Sequence, residues 1–172
     1  SISPSVSISP SESPSVSPSL SPSLAPECEL DQEQTTIQTD YTWGYAGIPT
    51  RGQTFQPSLT ANLCNIQVKL YKNLDPVNNI YLKIYDNNAG SPGNLLATSD
   101  TVVNGSSISA SGSLVNFSFN STPRLTKDTT YWFVLSVDEY DLLNHIYAAY
   151  GTSSSTNFYT RGKSYYVSGG TW

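Results

Sequence analysis

The first 26 residues follow a strict two-residue alternation, and this pattern restricts them to an extended conformation. Every odd position from Ser1 to Ser23 is serine, and the even positions carry prolines, single aliphatic residues and one acid, Glu12. Because side chains alternate between the two faces of an extended chain, the hydroxyl groups lie on one face and the apolar groups on the other. A flexible linker has no use for such an apolar face. A Ser/Pro tract also buries too little surface to order itself, so this arm is expected to need a neighbouring chain or covalent decoration.

Composition and charge narrow the class of protein. The 172-residue chain divides into the arm (1–26), an acidic connector (27–40) and one domain (41–172), which is large enough for a hydrophobic core. Charged residues make up 12% and the net charge is −5, which argues against a nucleic-acid partner. The sequence contains no run of 18 apolar residues, so it predicts no membrane span. The initial serine and the lack of methionine suggest a processed chain, so we expect an extracellular or cell-surface location.

Two cysteines flank the start of the domain. In a secreted chain, Cys28 and Cys64 are expected to form one disulfide that joins the exit of the arm to the first strands. The alternative is two separately buried thiols. The wide spacing of the pair is not a metal-ligand pattern, and the single histidine, His145, does not complete one.

The domain shows the two-residue period of β-strands along most of its length, and no segment predicts a helix. In NIQVKLYK (65–72), alternate residues Ile66, Val68 and Leu70 share one face. The remaining strands are predicted in the segments QTFQP (53–57), NIYLKIYD (79–86), LLATSDTVV (95–103), LVNFSFN (114–120), TYWFVLSV (130–137), HIYAAY (145–150), NFYTR (157–161) and SYYVS (164–168), with a turn cluster at NNAGSPGN (87–94). Alternation predicts that Ile80, Leu82, Ile84, Val115, Phe117 and Phe119 point inward. TYWFVLSV is apolar on both faces, as in a central strand, and Trp132 within it is expected to pack in the core. About eight short strands at this spacing predict an all-β sandwich or jelly roll.

Four segments occur in an order that resembles a known kind of module. They are QTFQPSLTANLCNIQVKLYK, IYLKIYDNNAGSPGNLLATSD, LVNFSFNSTPRLTKDTTYWFVLSV and YYVSGGTW. Together they resemble the jelly-roll β-sandwich modules of secreted bacterial and phage surface proteins, including choice-of-anchor type domains. The resemblance covers about residues 50–172, and its most specific parts are the turn at Gly90–Ala97, which Pro92 and Gly93 are expected to shape, and the pair Tyr131–Trp132. It implies a single jelly-roll domain with an extracellular, structural role.

The resemblance also implies an incomplete sheet. In such modules a further apolar strand follows the segment that ends here at Trp172, so the domain is expected to lack its last strand and to expose an open edge. An alternating extended arm can fill such an edge in a neighbouring subunit by donor-strand complementation. The Pro-free stretch SVSIS (5–9) is the best donor, with Ile2, Val6 and Ile8 pointing into the slot. Because all prolines occupy even positions, the odd residues keep an unbroken row of N–H donors. Such a contact propagates head to tail, and its partners are copies of the same chain. The alternative for the arm is a disordered Ser/Pro spacer.

Glycans are the expected covalent decoration. Ser/Pro-rich stalks are common substrates for O-glycosylation, and the candidate serines share one face of the arm. They are Ser3, Ser5, Ser7, Ser9, Ser11, Ser13, Ser15, Ser17, Ser19, Ser21 and Ser23. Asn104, Asn116 and Asn120 stand in N-x-S/T sequons and are candidates for N-glycosylation.

No residue pattern supports an enzyme. His145 has no G-x-S-x-G motif to accompany it and is expected to be an ordinary strand-edge or core histidine. The acids Asp138, Glu139 and Asp141 are interpreted as a solvated loop, although they, or Asp86–Asn88, could bind Ca²⁺ through oxygen ligands. No cofactor is expected otherwise.

The competing hypothesis is a carbohydrate-binding or adhesin module on a flexible Ser/Pro linker. Its stacking residues would be Trp43 and Tyr45, and its partner a surface polysaccharide. The favoured hypothesis is that the chain is a structural protomer of a glycosylated extracellular filament.

Overall fold

A computed structural model describes residues 28–33, 39–45, 47–139, 145–150, 161–162 and 164–166 of the chain. These residues form twelve β-strands, and the only helical element among them is one 3₁₀ turn at Gly105–Ser107. The strands are β1 (Thr39–Trp43), β2 (Thr50–Phe55), β3 (Ala61–Asn62), β4 (Asn65–Asn73), β5 (Asn79–Asn88), β6 (Ser91–Thr98), β7 (Val103–Asn104), β8 (Ser113–Ser118), β9 (Arg124–Leu125), β10 (Tyr131–Val137), β11 (His145–Tyr150) and β12 (Ser164–Tyr166). The prediction of an all-β fold is confirmed.

The strands form two antiparallel sheets and one short ribbon. Sheet I has the order β1-β11-β4-β8, and sheet II has the order β12-β2-β10-β5-β6, with β7 also paired to β5. The ribbon consists of β3 and β9. Consecutive strands such as β4 and β5, or β10 and β11, lie in different sheets, so the chain crosses repeatedly between the two layers. The result is a sandwich-like arrangement.

Alternation along the strands places one apolar face of each sheet against the other. Sheet I contributes Trp43, Val68, Leu70, Phe117 and Ile146 to the core, and sheet II contributes Ile80, Leu82, Ile84, Tyr131, Phe133 and Leu135. The inward positions predicted in β4, β5 and β8 are therefore confirmed, as is the burial of Phe119 just after β8.

Trp132 is buried, but on the other side of sheet II. Strand β10 is central, between β2 and β5, and its residues Tyr131–Ser136 are all buried, as its two apolar faces predict. The register pairs Trp132 with Tyr85, whereas its neighbour Phe133 pairs with the core residue Ile84. Trp132 therefore packs on the face opposite the core, where its Nε1–H donates to Asn87 Oδ1 at 2.9 Å. The prediction that Trp132 is buried is confirmed, but alternation places it on the face of β10 opposite Phe133, outside the main core cluster.

The predicted turn over residues 87–94 is much shorter in the structure. Strands β5 and β6 continue to Asn88 and from Ser91, so the turn itself is Ala89–Gly90, both with positive φ (50° and 89°). Two consecutive residues with positive φ form the two-residue hairpin whose twist matches that of the strands. Pro92 and Gly93 lie within β6, where a proline is tolerated because the strand is at the sheet edge. The expectation that they shape the turn is therefore wrong.

Two buried serines have opposite hydrogen-bonding environments, and this gives a testable difference. Ser99 Oγ accepts from the N–H of Leu82 at 3.1 Å and donates to the carbonyl of Thr101 at 2.9 Å. Ser136 Oγ is buried and has no hydrogen-bond partner among the described residues. We expect Ser99→Ala to lower the free energy of unfolding by about 1–3 kcal/mol, because it leaves a buried N–H unpaired. Ser136→Ala should leave that free energy unchanged or raise it by up to about 1 kcal/mol. Urea unfolding of both variants measures this, and equal losses would contradict the assignment.

Candidate functional site: the arm root and the sheet edges

The exit of the arm is covalently attached to the domain. Cys28 and Cys64 form a disulfide with a Cα–Cα distance of 6.0 Å, which confirms the predicted pairing. Cys64 immediately precedes β4, an interior strand of sheet I, and its carbonyl accepts from the N–H of Phe119 at 2.9 Å. The root of the arm therefore lies where β4 begins and β8 ends.

A polar cluster adds to this attachment, and we call it the arm-root cluster. It consists of Asp31, Gln32, Gln56, Ser58, Asp128 and Arg161. On the arm side, Gln32 Nε2 donates to the carbonyl of Gln56, and Asp31 accepts from both the N–H and the hydroxyl of Ser58. On the domain side, Arg161 donates to the carbonyls of Gln56 (2.9 Å) and Pro57 (2.8 Å) and forms an ion pair with Asp128. Residues 28–33 of the predicted connector are thus fixed to the sandwich.

The electrostatics of Asp31 agree with this geometry. Desolvation raises the pKa of its carboxyl, but hydrogen bonds from Ser58 and Gln32 and the charge of Arg161 outweigh it, so the pKa lies below its ordinary value. A lowered pKa in the folded state stabilises the fold above the ordinary value of the carboxyl. This contribution is lost as the pH falls through the folded-state pKa, so acid weakens the attachment of the arm root.

Strand β6 is a protected edge of sheet II. It contains Pro92, its pairing with β5 shifts register twice, and the N–H of Asn94 donates to Asp86 Oδ1 at 2.6 Å. Prolines, bulges and occupied backbone groups are the devices that keep an edge strand from pairing with another chain.

Strand β8, at one edge of sheet I, has a regular and largely open backbone. It pairs with β4 over six residues without a register shift. At its end, the carbonyl of Ser118 accepts from the N–H of Asp100 at 2.9 Å, and its N–H donates to Thr101 Oγ1 at 3.2 Å, so the backbone groups of Ser118 point away from β4. Backbone direction repeats every two residues, so those of Asn116 and Leu114 point outward too. Within the described part of the chain, no hydrogen bond engages these outward groups.

The side chains of β8 divide cleanly between core and solvent. Phe117 is fully buried and Val115 packs against the core, whereas Asn116 is exposed and Leu114 is 68% exposed. The open backbone edge therefore lies beside an apolar inner face and a solvent-facing outer face.

The three N-glycosylation candidates are exposed in the structure. Asn104 caps the 3₁₀ turn, since its Oδ1 accepts from the N–H of Ser106 at 2.9 Å while its Nδ2 donates to the carbonyl of Val77 at 3.0 Å. Asn116 lies on β8. Asn120 lies two residues beyond the end of β8, and the N–H of Asn120 donates to the carboxylate of Asp100. Attachment of glycans at these residues stays a prediction.

Trp43 does not form an exposed stacking site. Its side chain is fully buried in the core cluster, and Tyr45 is half-buried in a short bridge to Ile48. The expectation of an exposed Trp43–Tyr45 pair for sugar rings is wrong for Trp43, because β1 turns this residue inward onto Ile146 and the other core residues.

The candidate acidic residues have protein partners. Asp138 accepts from the N–H and the Nδ2 of Asn79 at 2.9 and 2.8 Å, and Asp86 accepts from the N–H and Nδ2 of Asn94 at 2.6 and 2.8 Å. Among the described residues, no three His, Cys, Asp or Glu side chains come together as they would around a metal ion. Glu139 is exposed, and Asp141 lies outside the described residues. His145 begins β11 opposite Asn73.

Several predicted positions lie outside the described residues: the donor residues Ile2, Val6 and Ile8, all serine candidates of the arm, and most of the segment 157–161. No helix in the part that is described is long and apolar enough to cross a membrane. Comparison with protein-family models, with curated proteins and with solved structures finds no match to this chain.

Proposed function

We propose that this chain is a structural protomer of an extracellular, glycosylated filament, in which the arm of one copy pairs with the domain of the next. The observation that carries the proposal is the open edge of β8, whose outward backbone groups at Leu114 and Asn116 have no partner among the described residues and lie beside an apolar face. Natural sheets rarely leave a regular edge unprotected, and β6 of the same domain is blunted by a proline and two register shifts. The alternating arm has the strand-like pattern that such an edge pairs with.

The arm root supports the same function. The disulfide and the arm-root cluster fix the point from which the arm leaves, so the arm of each copy departs in a defined place. A disulfide between residues distant in sequence also fits an oxidising, extracellular compartment. A fixed root is what a repeating head-to-tail assembly requires, since each subunit must present its donor in the same way.

The strand order supports a jelly-roll classification of the domain. Two four-stranded layers, β1-β11-β4-β8 and β2-β10-β5-β6, are connected by repeated crossings between the sheets. Two sheets of four antiparallel strands with crossing connections are the arrangement expected of a jelly roll, and β12 adds a short strand beside β2.

Asn116→Pro tests the proposed assembly. Proline removes the outward N–H of Asn116, which the pairing of β8 with β4 does not use, so we expect the isolated domain to lose about 1 kcal/mol or less. Filament formation by the full chain should be abolished, as measured by electron microscopy and sedimentation.

Asn116→Ala is the matched control, because it removes the side chain and keeps the N–H, and it should assemble like the unmodified chain. A second variant, Val6→Ser with Ile8→Ser, should also prevent assembly by removing the apolar donor residues. Filaments formed as readily by Asn116→Pro as by Asn116→Ala, or a purely monomeric unmodified chain, would refute the proposal.

A further inference from the structure

The faces and edges of β8 determine how a donor strand fits beside it. The residues with outward backbone groups, Leu114 and Asn116, have solvent-exposed side chains, whereas Val115 and Phe117 direct theirs to the core and bond toward β4. A strand added at this edge must therefore bond to residues of the solvent face.

The arm has a matching asymmetry. Its odd residues are serines with a complete set of N–H groups, and its prolines all occupy even positions. In an extended strand the backbone groups of odd residues point to one edge and those of even residues to the other, so only the serine edge offers an uninterrupted ladder. The apolar residues Val6 and Ile8 belong to the opposite face from those serines.

The direction of pairing decides where these faces go. In an antiparallel pair, two residues that exchange hydrogen bonds lie directly opposite each other and share a face of the sheet. Serines bonded to Leu114 and Asn116 would then face solvent, and Val6 and Ile8 would lie beside Val115 on the core face. In a parallel pair each residue bonds to the two that flank its neighbour, which reverses the faces and exposes the apolar residues.

We propose that residues 5–9 of a second copy of this chain pair antiparallel with β8, through the backbone of their serines. This inference rests on the proposed function and adds to it the acceptor strand, its direction and the face of each donor residue. The paired serines keep their hydroxyl groups on the outer surface, so the donor segment remains compatible with attached sugars. Adding a strand at this edge also places Val6 and Ile8 where they shield Val115, which is only partly buried.

Pairwise disulfide cross-linking tests the direction. One full-length chain carries a single added cysteine in the arm (Ser5→Cys, Ser7→Cys or Ser9→Cys), and a second carries Leu114→Cys or Asn116→Cys. The two are mixed under mild oxidation, and covalent dimers are measured on non-reducing gels. Antiparallel pairing predicts that the best arm partner of Asn116→Cys lies two residues earlier in the arm than the best partner of Leu114→Cys. Leu96→Cys on β6 is the matched edge control and should give at least about tenfold less dimer, because disulfides need Cα atoms within about 7 Å.

The outcomes separate this inference from the proposed function. If filaments form and the partner order is reversed, or if dimers form equally well at Leu96→Cys, the assignment of β8 and its direction is overturned while donor-strand assembly stands. If neither filaments nor dimers form, the proposed function fails and the inference fails with it.

Discussion

Replacing Cys28 and Cys64 together by serine is expected to lower the free energy of unfolding by about 4 kcal/mol. The bridge joins residues 36 apart in sequence. Closing a loop of this length removes conformational entropy from the unfolded chain, and the loop-closure relation gives about 4 kcal/mol at 25 °C. Urea unfolding monitored by tryptophan fluorescence measures the change.

Treating the unmodified chain with a reductant is the matched control for the cysteine variant. Its unfolding midpoint should fall to that of the double serine variant, while the reductant should not alter the variant. A loss below about 1 kcal/mol would show that the arm-root cluster holds residues 28–33 without help from the disulfide.

Trp43→Ala is expected to cost about 3–5 kcal/mol of unfolding free energy, because it opens a large cavity between the two sheets. Trp43 is fully buried in the core cluster, and its Nε1–H has no hydrogen-bond partner in the part of the chain that the structure describes. Trp43→Phe should cost clearly less, since it retains most of the apolar volume and removes an unpaired donor. Thermal and urea unfolding of the two variants measure the difference.

Leu114→Ala provides the control on the protein surface. This residue is 68% exposed, so truncating it should change the unfolding free energy by less than about 0.5 kcal/mol in the isolated chain. If Trp43→Ala were as mild as Leu114→Ala, the inward orientation of β1 would be wrong, and an exposed aromatic at position 43 would again be available for sugar stacking.

The alternation of apolar and polar residues correctly predicted the strands whose inward side chains form the hydrophobic core. A one-residue shift in the register of a strand would move all of its inward apolar side chains into water. The strands to which this applies most clearly are β4, with Ile66, Val68 and Leu70, and β5, with Ile80, Leu82 and Ile84. For this reason the sequence was sufficient to predict the positions of β4, β5 and β10 and the all-β class of the fold. The disulfide was predicted from the cysteine count, because two cysteines allow only one intramolecular pairing.

Other features depend on contacts that a local pattern does not contain. The turn at Ala89–Gly90 requires a positive φ at Ala89, a conformation that residues other than glycine rarely adopt. The Pro92-Gly93 pair indicated a turn, but both residues lie within the edge strand β6. The arm-root cluster joins Asp31 to Ser58 and Arg161 to Gln56, 105 residues away in sequence. The open edge of β8 depends on where Ser118 finds its partners, so the segment 113–118 alone does not show whether β8 is an edge or an interior strand.

The disulfide also determines how a pulling force would travel through the protein. A load applied to the arm reaches the chain at Cys28 and passes through the sulfur bridge to Cys64, directly into the start of β4. The bridge bypasses the stretch of chain between the two cysteines, which includes β1 and β2. A pulling force therefore does not extend this stretch while the bridge is intact. Strand β4 pairs with β8 over Asn65–Leu70 and with β11 over Leu70–Asn73, so tension that enters at Asn65 loads the pairing with β8 first and that with β11 afterwards. In the proposed filament, the disulfide would therefore determine which strand of each domain bears a load first.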